Sequence, residues 1–436
     1  MRLIALTTLL AFVLGAAVLL ATRTGEHRFG PAASAAPPEL PRPSAPTAER
    51  LRALRAIVRA APARPDGWTL LTGAELQQVR ETGDASAYAR AQAAVDRALS
   101  LRPGDQAALT QRAALELSRH DFGAGLRDAR AAHRADPTVL VPYGPLVDAT
   151  VELGRYGDAE RLAQEMVDRK PDLAALARVS YLRELRGDRA GALAALRAAR
   201  SAGGQVPEST AYISTLIAGL ELQAGHVAAA RRDAREALHN FPGYPAAENA
   251  LARAEAAAGD TGAALRRLRA LVDRLPLPEH VTLLAETELA AGRTAAARRD
   301  LALVGAERDL QRTAGVLVDT EAALFEADHG APATAVALGR RAWAAAPSVR
   351  SADALGWALT RAGRPAEGLR WARRALARGW RDPLALLHAG IAAAGTGERR
   401  AATGWLRDAV RGAAWLGPWQ AQRARGTLAG LEQERA

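Results

Sequence analysis

The sequence predicts an all-α solenoid, a stack of about ten helix–turn–helix repeats, and three observations lead to that fold class. Prolines recur about every 34 residues. Small residues keep fixed places ahead of these prolines, and the apolar fraction is high although aromatic residues are scarce. A fixed period of this length is typical of one supersecondary unit repeated in space. The prolines of the series are Pro103, Pro137, Pro171, Pro207, Pro242, Pro276, Pro347, Pro383 and Pro418.

Within one period the sequence predicts two helices. In residues 211–242, apolar side chains first recur at helical spacing, Gly225 interrupts the run, and alanines then resume it. The glycine permits the backbone conformation that ends a helix, and Pro242 cannot continue the second helix. The small side chains allow two helices and the next repeat to approach closely. Those of this unit are Ala230, Ala234 and Ala237, and those of an earlier unit are Ala159 and Ala163.

Composition supports the same fold class. Hydrophobic residues make up 49% of the chain but aromatic residues only 4%, so the sequence predicts a core of alanine and leucine. Such a core favours closely packed helices over a β-sheet, which prefers β-branched and aromatic residues. A solenoid also suits a chain of 436 residues, because each repeat buries its surface only against its neighbours. The absence of cysteine excludes disulfides and thiolate metal sites.

The pattern resembles the tetratricopeptide repeat (TPR) family, in bacterial proteins that are membrane-anchored or exported. Trp68 and Leu71 fit the opening of the family's repeat, and Gly259 with Asp260 fits its turn. The resemblance covers residues 65–417 and implies a superhelix whose first helices line a concave groove for extended peptides. The series lacks a proline near Ala306, so the seventh and eighth units are the least regular.

The N-terminus carries an uncharged run, residues 3–21, between Arg2 and Arg23. As a helix this run would span about 28 Å, close to the thickness of a bilayer core. Two interpretations remain open for residues 1–25: a retained transmembrane anchor with the repeats outside the cytoplasm, or a signal segment that is cleaved before secretion. We expect residues 26–47 to form a Pro/Ala-rich linker, 48–64 a capping helix, and 418–436 a solvating C-terminal helix.

The sequence predicts a protein that is not an enzyme and holds no cofactor or metal. Lys170 is the only lysine and no glycine-rich loop leads to it, which excludes a P-loop nucleotide site. The histidines between His120 and His388 are scattered, without a pair four residues apart as a helical metal site requires. Function is therefore expected to lie in binding surfaces.

The TPR resemblance implies a peptide-binding groove on the concave face. Asparagine satisfies backbone groups and arginine forks onto a carboxylate, so such a lining suits an extended peptide or its C-terminus. The alternative is that these positions are ordinary solvated polar residues. The residues carried over to groove positions are Arg178, Tyr212, Thr215, Asn249 and Arg253.

We expect a membrane-tethered adaptor that binds a protein partner through this groove and does not bind nucleic acid. The alternative is a charge-driven binder of an anionic polymer or membrane surface, since the net charge is +11. Arginines recur along the second helices and predict a basic ridge that includes Arg232, Arg235, Arg266 and Arg269.

Tryptophans are concentrated after residue 340, and two of them hold the same place in adjacent repeats. These two form either an aromatic interface for a partner or the packing between the last repeats. They are Trp371 and Trp405.

Overall fold

The computed structural model describes residues 40–42, 44–204 and 206–433, and every regular element in these ranges is an α-helix. The predicted anchor or signal, residues 1–25, and most of the predicted linker, residues 26–47, lie outside the described residues. Among the helices that are described, none combines the length and the apolarity needed to cross a membrane.

Helix α1 (Thr47–Ala60) precedes a series of antiparallel helix pairs. The first five pairs are α2 (Pro65–Thr82) with α3 (Ser86–Leu101), α4 (Gln106–Ser118) with α5 (Phe122–Ala135), α6 (Tyr143–Glu152) with α7 (Tyr156–Arg169), α8 (Leu173–Leu185) with α9 (Arg189–Ala202), and α10 (Pro207–Gln223) with α11 (Val227–Asn240).

The second half of the described chain continues the series and adds three single helices to it. The pairs are α12 (Pro245–Ala257) with α13 (Thr261–Arg274), α14 (Pro278–Ala290) with α15 (Thr294–Leu301), α17 (Asp319–His329) with α18 (Pro332–Ala345), α19 (Val349–Arg361) with α20 (Pro365–Leu376), and α21 (Pro383–Gly395) with α22 (Arg399–Arg411). The single helices in this half are α16 (Leu303–Thr313), α23 (Ala413–Leu416) and α24 (Pro418–Gln433).

The residues at the helix starts explain the predicted period. Asp121, Asp188 and Asp260 each accept a hydrogen bond from a backbone N–H in the first turn of a second helix. Such caps satisfy donors that a helix leaves free. Several first helices instead begin with a proline in the first turn, where its missing N–H costs nothing. Of the predicted series, Pro207 and Pro383 begin first helices themselves, and the other prolines up to Pro347 stand two to six residues before a first helix.

The repeat is irregular where the sequence lacks its proline. Helix α15 has only eight residues, and α16 follows it almost directly. Residues 314–318 then lead to α17. Val316 and Val318 of this connection pack against the first two helix pairs, together with Leu275 and Leu277. The irregular unit thus connects early and late parts of the chain.

Successive turns of the superhelix also contact each other. Tyr156 Oη accepts a hydrogen bond from the backbone N–H of Val349, 193 residues later, at 2.7 Å. The backbone N–H of Leu317 donates to the carbonyl of Arg119 at 2.9 Å. These partners lie between five and six repeats apart, so one turn of the superhelix rests directly on the next.

The C-terminal helices lie against the first helices of the middle repeats. Helix α23 contacts α10 and α12, and α24 contacts α14 as well as α22. Trp415 of α23 faces Gly219 of α10, where a larger residue would be crowded. Gln420, Ala421 and Ala424 give α24 a buried face. The groove of the middle repeats is therefore partly occupied by the chain's own C-terminal helices.

Candidate binding site

A cavity of about 200 Å³ lies inside the superhelix. Four first helices, α12, α14, α17 and α19, form most of its wall. Helices α16, α21, α23 and α24 and the connections before α5, α17 and α21 complete it. A cavity of about 150 Å³ admits a molecule the size of benzene, so this one has room for a side chain. The C-terminal helices α23 and α24 thus form part of its wall.

Two half-buried arginines line the cavity, and neither forms an ion pair within the described part of the chain. Arg350 Nε donates to Tyr181 Oη at 2.8 Å, and its guanidinium lies over the rings of Tyr181 and Trp380. Burial opposes the charge of Arg350, but Tyr181, Glu152 and Glu184 stabilise it, and the net effect raises its pKa. Burial lowers the pKa of Arg253, the second arginine.

Most carboxylates of the cavity have partners on other helices. Glu286 lies 3.0 Å from His329 Nε2, and Asp328 accepts from Arg423 of α24 at 2.6 Å. Asp353 lies 3.0 Å from His388 Nδ1. The carboxylate of a fourth member, Asp382, caps α21 and also accepts from Trp415 Nε1 at 3.0 Å. Burial raises the pKa of Asp382 above its ordinary value. These contacts join the C-terminal helices to the wall.

Three polar groups of the cavity have no hydrogen-bond partner among the described residues: Gln311 Nε2, Trp380 Nε1 and both carboxylate oxygens of Glu321. The Gln311 and Trp380 side chains are only 1% and 4% exposed. A buried polar group left without a partner costs about 1–3 kcal/mol, so each favours a ligand group that supplies the missing bond. The set contains two donors and one acceptor group.

The predicted groove residues lie deeper than a groove lining would. Arg178 is 2% exposed and makes a two-pronged ion pair with Asp148, at 2.8 and 2.6 Å. Tyr212 and Thr215 are buried, and Thr215 Oγ1 donates to the carbonyl of Ala211. Arg178, Tyr212 and Thr215 do not line the internal cavity.

The other two predicted groove residues lie at the cavity or beside it. Asn249 Nδ2 donates to Nδ1 of His280 at 3.0 Å, and Asn249 Oδ1 accepts from Arg253 Nε at 3.1 Å. Arg253 also donates to the carbonyl of Trp415 at 2.8 Å and lines the cavity. Of the five residues, Arg253 alone lines the cavity.

Both tryptophans of the predicted aromatic interface are half-buried. Trp371 meets Trp343 edge to face, with ring centroids 4.8 Å apart, and Arg374 lies over both rings. Trp405 packs against the core of the last repeats. Both side chains contact other helices, which agrees with packing between the last repeats. A partner surface at these residues stays a prediction.

The predicted ridge arginines fall into two groups. Arg232, Arg235 and Arg266 are exposed, and no ion pair of theirs occurs among the described residues. Arg269 instead donates to Asp300 at 2.7 Å and to Glu288 at 2.8 Å. These contacts raise the pKa of Arg269, with the hydrogen bond to Asp300 as the largest cause.

Sequence reasoning missed Gln311, Glu321 and Trp380. Gln311 lies on α16 of the irregular unit, where the period gives no register, and Glu321 lies in the first turn of α17, directly after that unit. Trp380 stands in the connection before α21. The missing proline near Ala306 was the one signal that pointed to this region. In a regular repeat array, an interruption is itself a reason to examine the local residues for function.

Solved structures similar to this chain include helical-repeat proteins. A tetratricopeptide repeat protein from Parabacteroides merdae is 17% identical over 52% of this chain and 86% of its own, with a TM-score of 0.39. A human IFIT1 dimer with PPP-AAAA is 16% identical over 76% of this chain and 78% of its own, with a TM-score of 0.45. The MamA protein is 15% identical over 39% of this chain and 91% of its own, with a TM-score of 0.30.

No protein-family model matches the chain, and no curated protein matches it either. The similarities to solved structures concern the fold alone. The helix pairs of the chain, with their repeated spacing of about 34 residues, have the architecture of a tetratricopeptide-type fold.

Proposed function

We propose that this protein is an interaction adaptor that holds a segment of a protein partner in the internal cavity. One observation carries the proposal: Gln311, Glu321 and Trp380 place unpaired polar groups in a cavity whose wall is built largely by first helices. Extended segments of a polypeptide offer both donors and acceptors along their backbone, which is what this lining lacks.

The proposed adaptor performs no chemistry of its own. Among the described residues no group of three or more histidine, aspartate and glutamate side chains is suited to a metal ion. The histidines of the cavity are engaged in structural contacts, as with His120, whose Nδ1 lies 2.9 Å from the carbonyl of Leu317. Binding, rather than turnover, is the activity that these groups support.

The proposal includes a membrane tether formed by residues 3–21, with the repeats outside the cytoplasm. Its support is the length and apolarity of that run in the sequence. Carbonate-washed membranes should retain the full chain. Recovery of the protein from the medium, with an N-terminus beyond Ala21, would instead support secretion after cleavage.

Filling the cavity tests the proposed binding function. Thr320 is half-buried and lines the cavity, so Thr320→Trp should occupy it without disturbing the core. Short peptides selected from a random library by the full chain should lose at least about tenfold in affinity, since roughly 1.4 kcal/mol of contact is lost. Thr313→Trp is the matched control, because Thr313 is exposed at the end of α16.

Selected peptides that bind Thr320→Trp and Thr313→Trp equally well would refute the cavity as the binding site. A library that yields no binder to the wild-type chain would refute the peptide-binding function itself.

A second candidate function is charge-driven binding to an anionic surface. Three exposed arginines favour this function, because they form no ion pair among the described residues and their charge can meet an anion. They are Arg232, Arg235 and Arg266. Reversing all three to glutamate should reduce binding to anionic liposomes or polyphosphate at low salt. Unchanged binding would remove the ridge from consideration.

A further inference from the structure

The charge of the internal cavity is opposite in sign to that of the whole chain. Six carboxylates line it against three guanidinium groups, whereas the chain carries a net charge of +11. The carboxylates belong to Glu279, Glu286, Glu321, Asp328, Asp353 and Asp382, and the guanidinium groups to Arg253, Arg308 and Arg350.

Internal pairing reduces this excess but does not remove it. Arg423, which does not line the cavity, pairs with Asp328 at 2.6 Å. Arg308 forms an ion pair with Glu326, which does not line the cavity, at 2.6 Å. The Arg308 guanidinium therefore does not neutralise a lining carboxylate. Arg253 donates to a backbone carbonyl and to Asn249, and Arg350 donates to Tyr181. An acidic ligand would find these guanidinium groups already engaged and would face the surplus of carboxylates.

Glu321 is the carboxylate best placed to meet a cation. Both of its oxygens are shielded from water and accept no hydrogen bond in the described part of the chain. Removing an ionised carboxylate from water without compensation is costly, and a hydrogen-bonded cation supplies that compensation. Helix α17 begins at Asp319 and so holds Glu321 in its first turn, next to Thr320, which also lines the cavity.

A second observation, independent of the carboxylates, indicates what carries the cation. Gln311 Nε2 and Trp380 Nε1 are buried donors that need acceptors, and a cation offers none. The carbonyl groups of a polypeptide backbone are such acceptors. A polypeptide segment with a basic side chain supplies the cation for Glu321 and the carbonyl oxygens for the two donors together.

We propose that the cavity receives a lysine or arginine side chain from an extended segment of the partner, with Glu321 as its counter-ion and Gln311 and Trp380 bound to the segment's backbone. This inference rests on the proposed function, since it names the chemistry of the segment that the cavity binds.

The experiment measures binding of four capped alternating octapeptides, Ala-Lys, Ala-Arg, Ala-Gln and Ala-Glu, to the full chain by calorimetry. The lysine or arginine peptide should bind at least about tenfold more tightly than the glutamine peptide, and the glutamate peptide least. Glu321→Gln should remove that preference. Asp309→Asn, an equal charge change on the exposed face of α16, should keep it.

The outcomes separate the two proposals. If the glutamine or glutamate peptide binds as tightly as the basic ones, and Thr320→Trp abolishes that binding, the basic-segment inference is overturned while the adaptor function stands. Basic peptides whose binding survives Thr320→Trp bind elsewhere and also overturn the inference. If no peptide binds, both proposals fail. The peptide comparison uses the wild-type chain and so does not depend on the folding of Glu321→Gln.

Discussion

At the scale of single residues, the sequence assigned Arg178 a position in the repeat, but its role depends on the structure around it. Its place in the repeat predicted a groove-facing side chain, but it is buried against Asp148 and the Gly144 region. The repeat period gives the face of the helix on which a residue lies. It does not give what covers that face, because the covering groups come from neighbouring repeats and from distant turns of the superhelix.

The Arg178–Asp148 pair should be a large contributor to stability when only one partner is removed. Arg178→Ala leaves a buried carboxylate uncompensated and should lower the free energy of unfolding by about 3–5 kcal/mol. Urea denaturation followed by circular dichroism measures the change. The double variant Arg178→Met with Asp148→Leu should recover most of the loss, because no buried charge remains. A loss below about 1 kcal/mol for Arg178→Ala would show that Arg178 is not buried in solution.

His280 should make stability depend on pH. Burial lowers its pKa to about 3, with Arg253 and Arg274 adding to the effect, and Asn249 donates to Nδ1, which suits the neutral ring. The unfolded state, with an ordinary pKa of about 6.5, therefore binds more protons between pH 3 and 6.5. Stability present above pH 6.5 is lost as the pH falls, by about 2 kcal/mol between pH 7 and 5.

Comparing variants isolates this effect. His280→Gln should lack that part of the pH dependence, whereas His239→Gln, at an exposed position, should retain it. Urea midpoints at pH 7 and 5 give the difference. An equal loss on acidification in all three proteins would show that His280 is not the titrating group.

At the scale of helices, the sequence predicted the pairs because local chemistry repeats with the period. Prolines mark first helices, aspartates cap second helices, and alanines pack where the helices meet. Helix α16 and the connection after it could not be placed in the same way, since no neighbouring unit supplies an equivalent position. The candidate cavity depends on that unit, which is why the site was less predictable than the fold.

Trp405 tests whether the late tryptophans pack or bind. Trp405→Ala removes a large side chain that packs against the core of the last repeats. We expect a loss of about 3 kcal/mol in unfolding free energy, at the lower end for a buried tryptophan because this one is half-buried. Thermal unfolding followed by circular dichroism measures it. Unchanged melting together with lost partner binding would instead support the aromatic interface.

At the scale of the whole molecule, the contact between successive turns of the superhelix has no sequence signature. Turn glycines were predicted at Gly225 and Gly259 for their backbone conformation alone. Gly187 and Gly259 both have that conformation, with φ of 79° and 86°. Gly187 has a second reason to be glycine: a methyl group there would overlap the carbonyl oxygen of Gly379, in the next superhelical turn. Which repeats meet in this way depends on the pitch, which accumulates from small rotations between repeats.

The two glycines therefore form a matched pair that measures the contact between turns. A methyl group on Gly259 would meet no atom within 4 Å, so Gly259→Ala should cost only the backbone strain, about 1–2 kcal/mol. Gly187→Ala carries the same strain and also forces two backbones apart, which should add about 1–3 kcal/mol. Urea unfolding of both variants gives the difference, and small-angle scattering should show a larger radius for Gly187→Ala alone. Equal losses and equal radii would mean that the turns do not touch, and the cavity between the repeats and the C-terminal helices would then be an open groove.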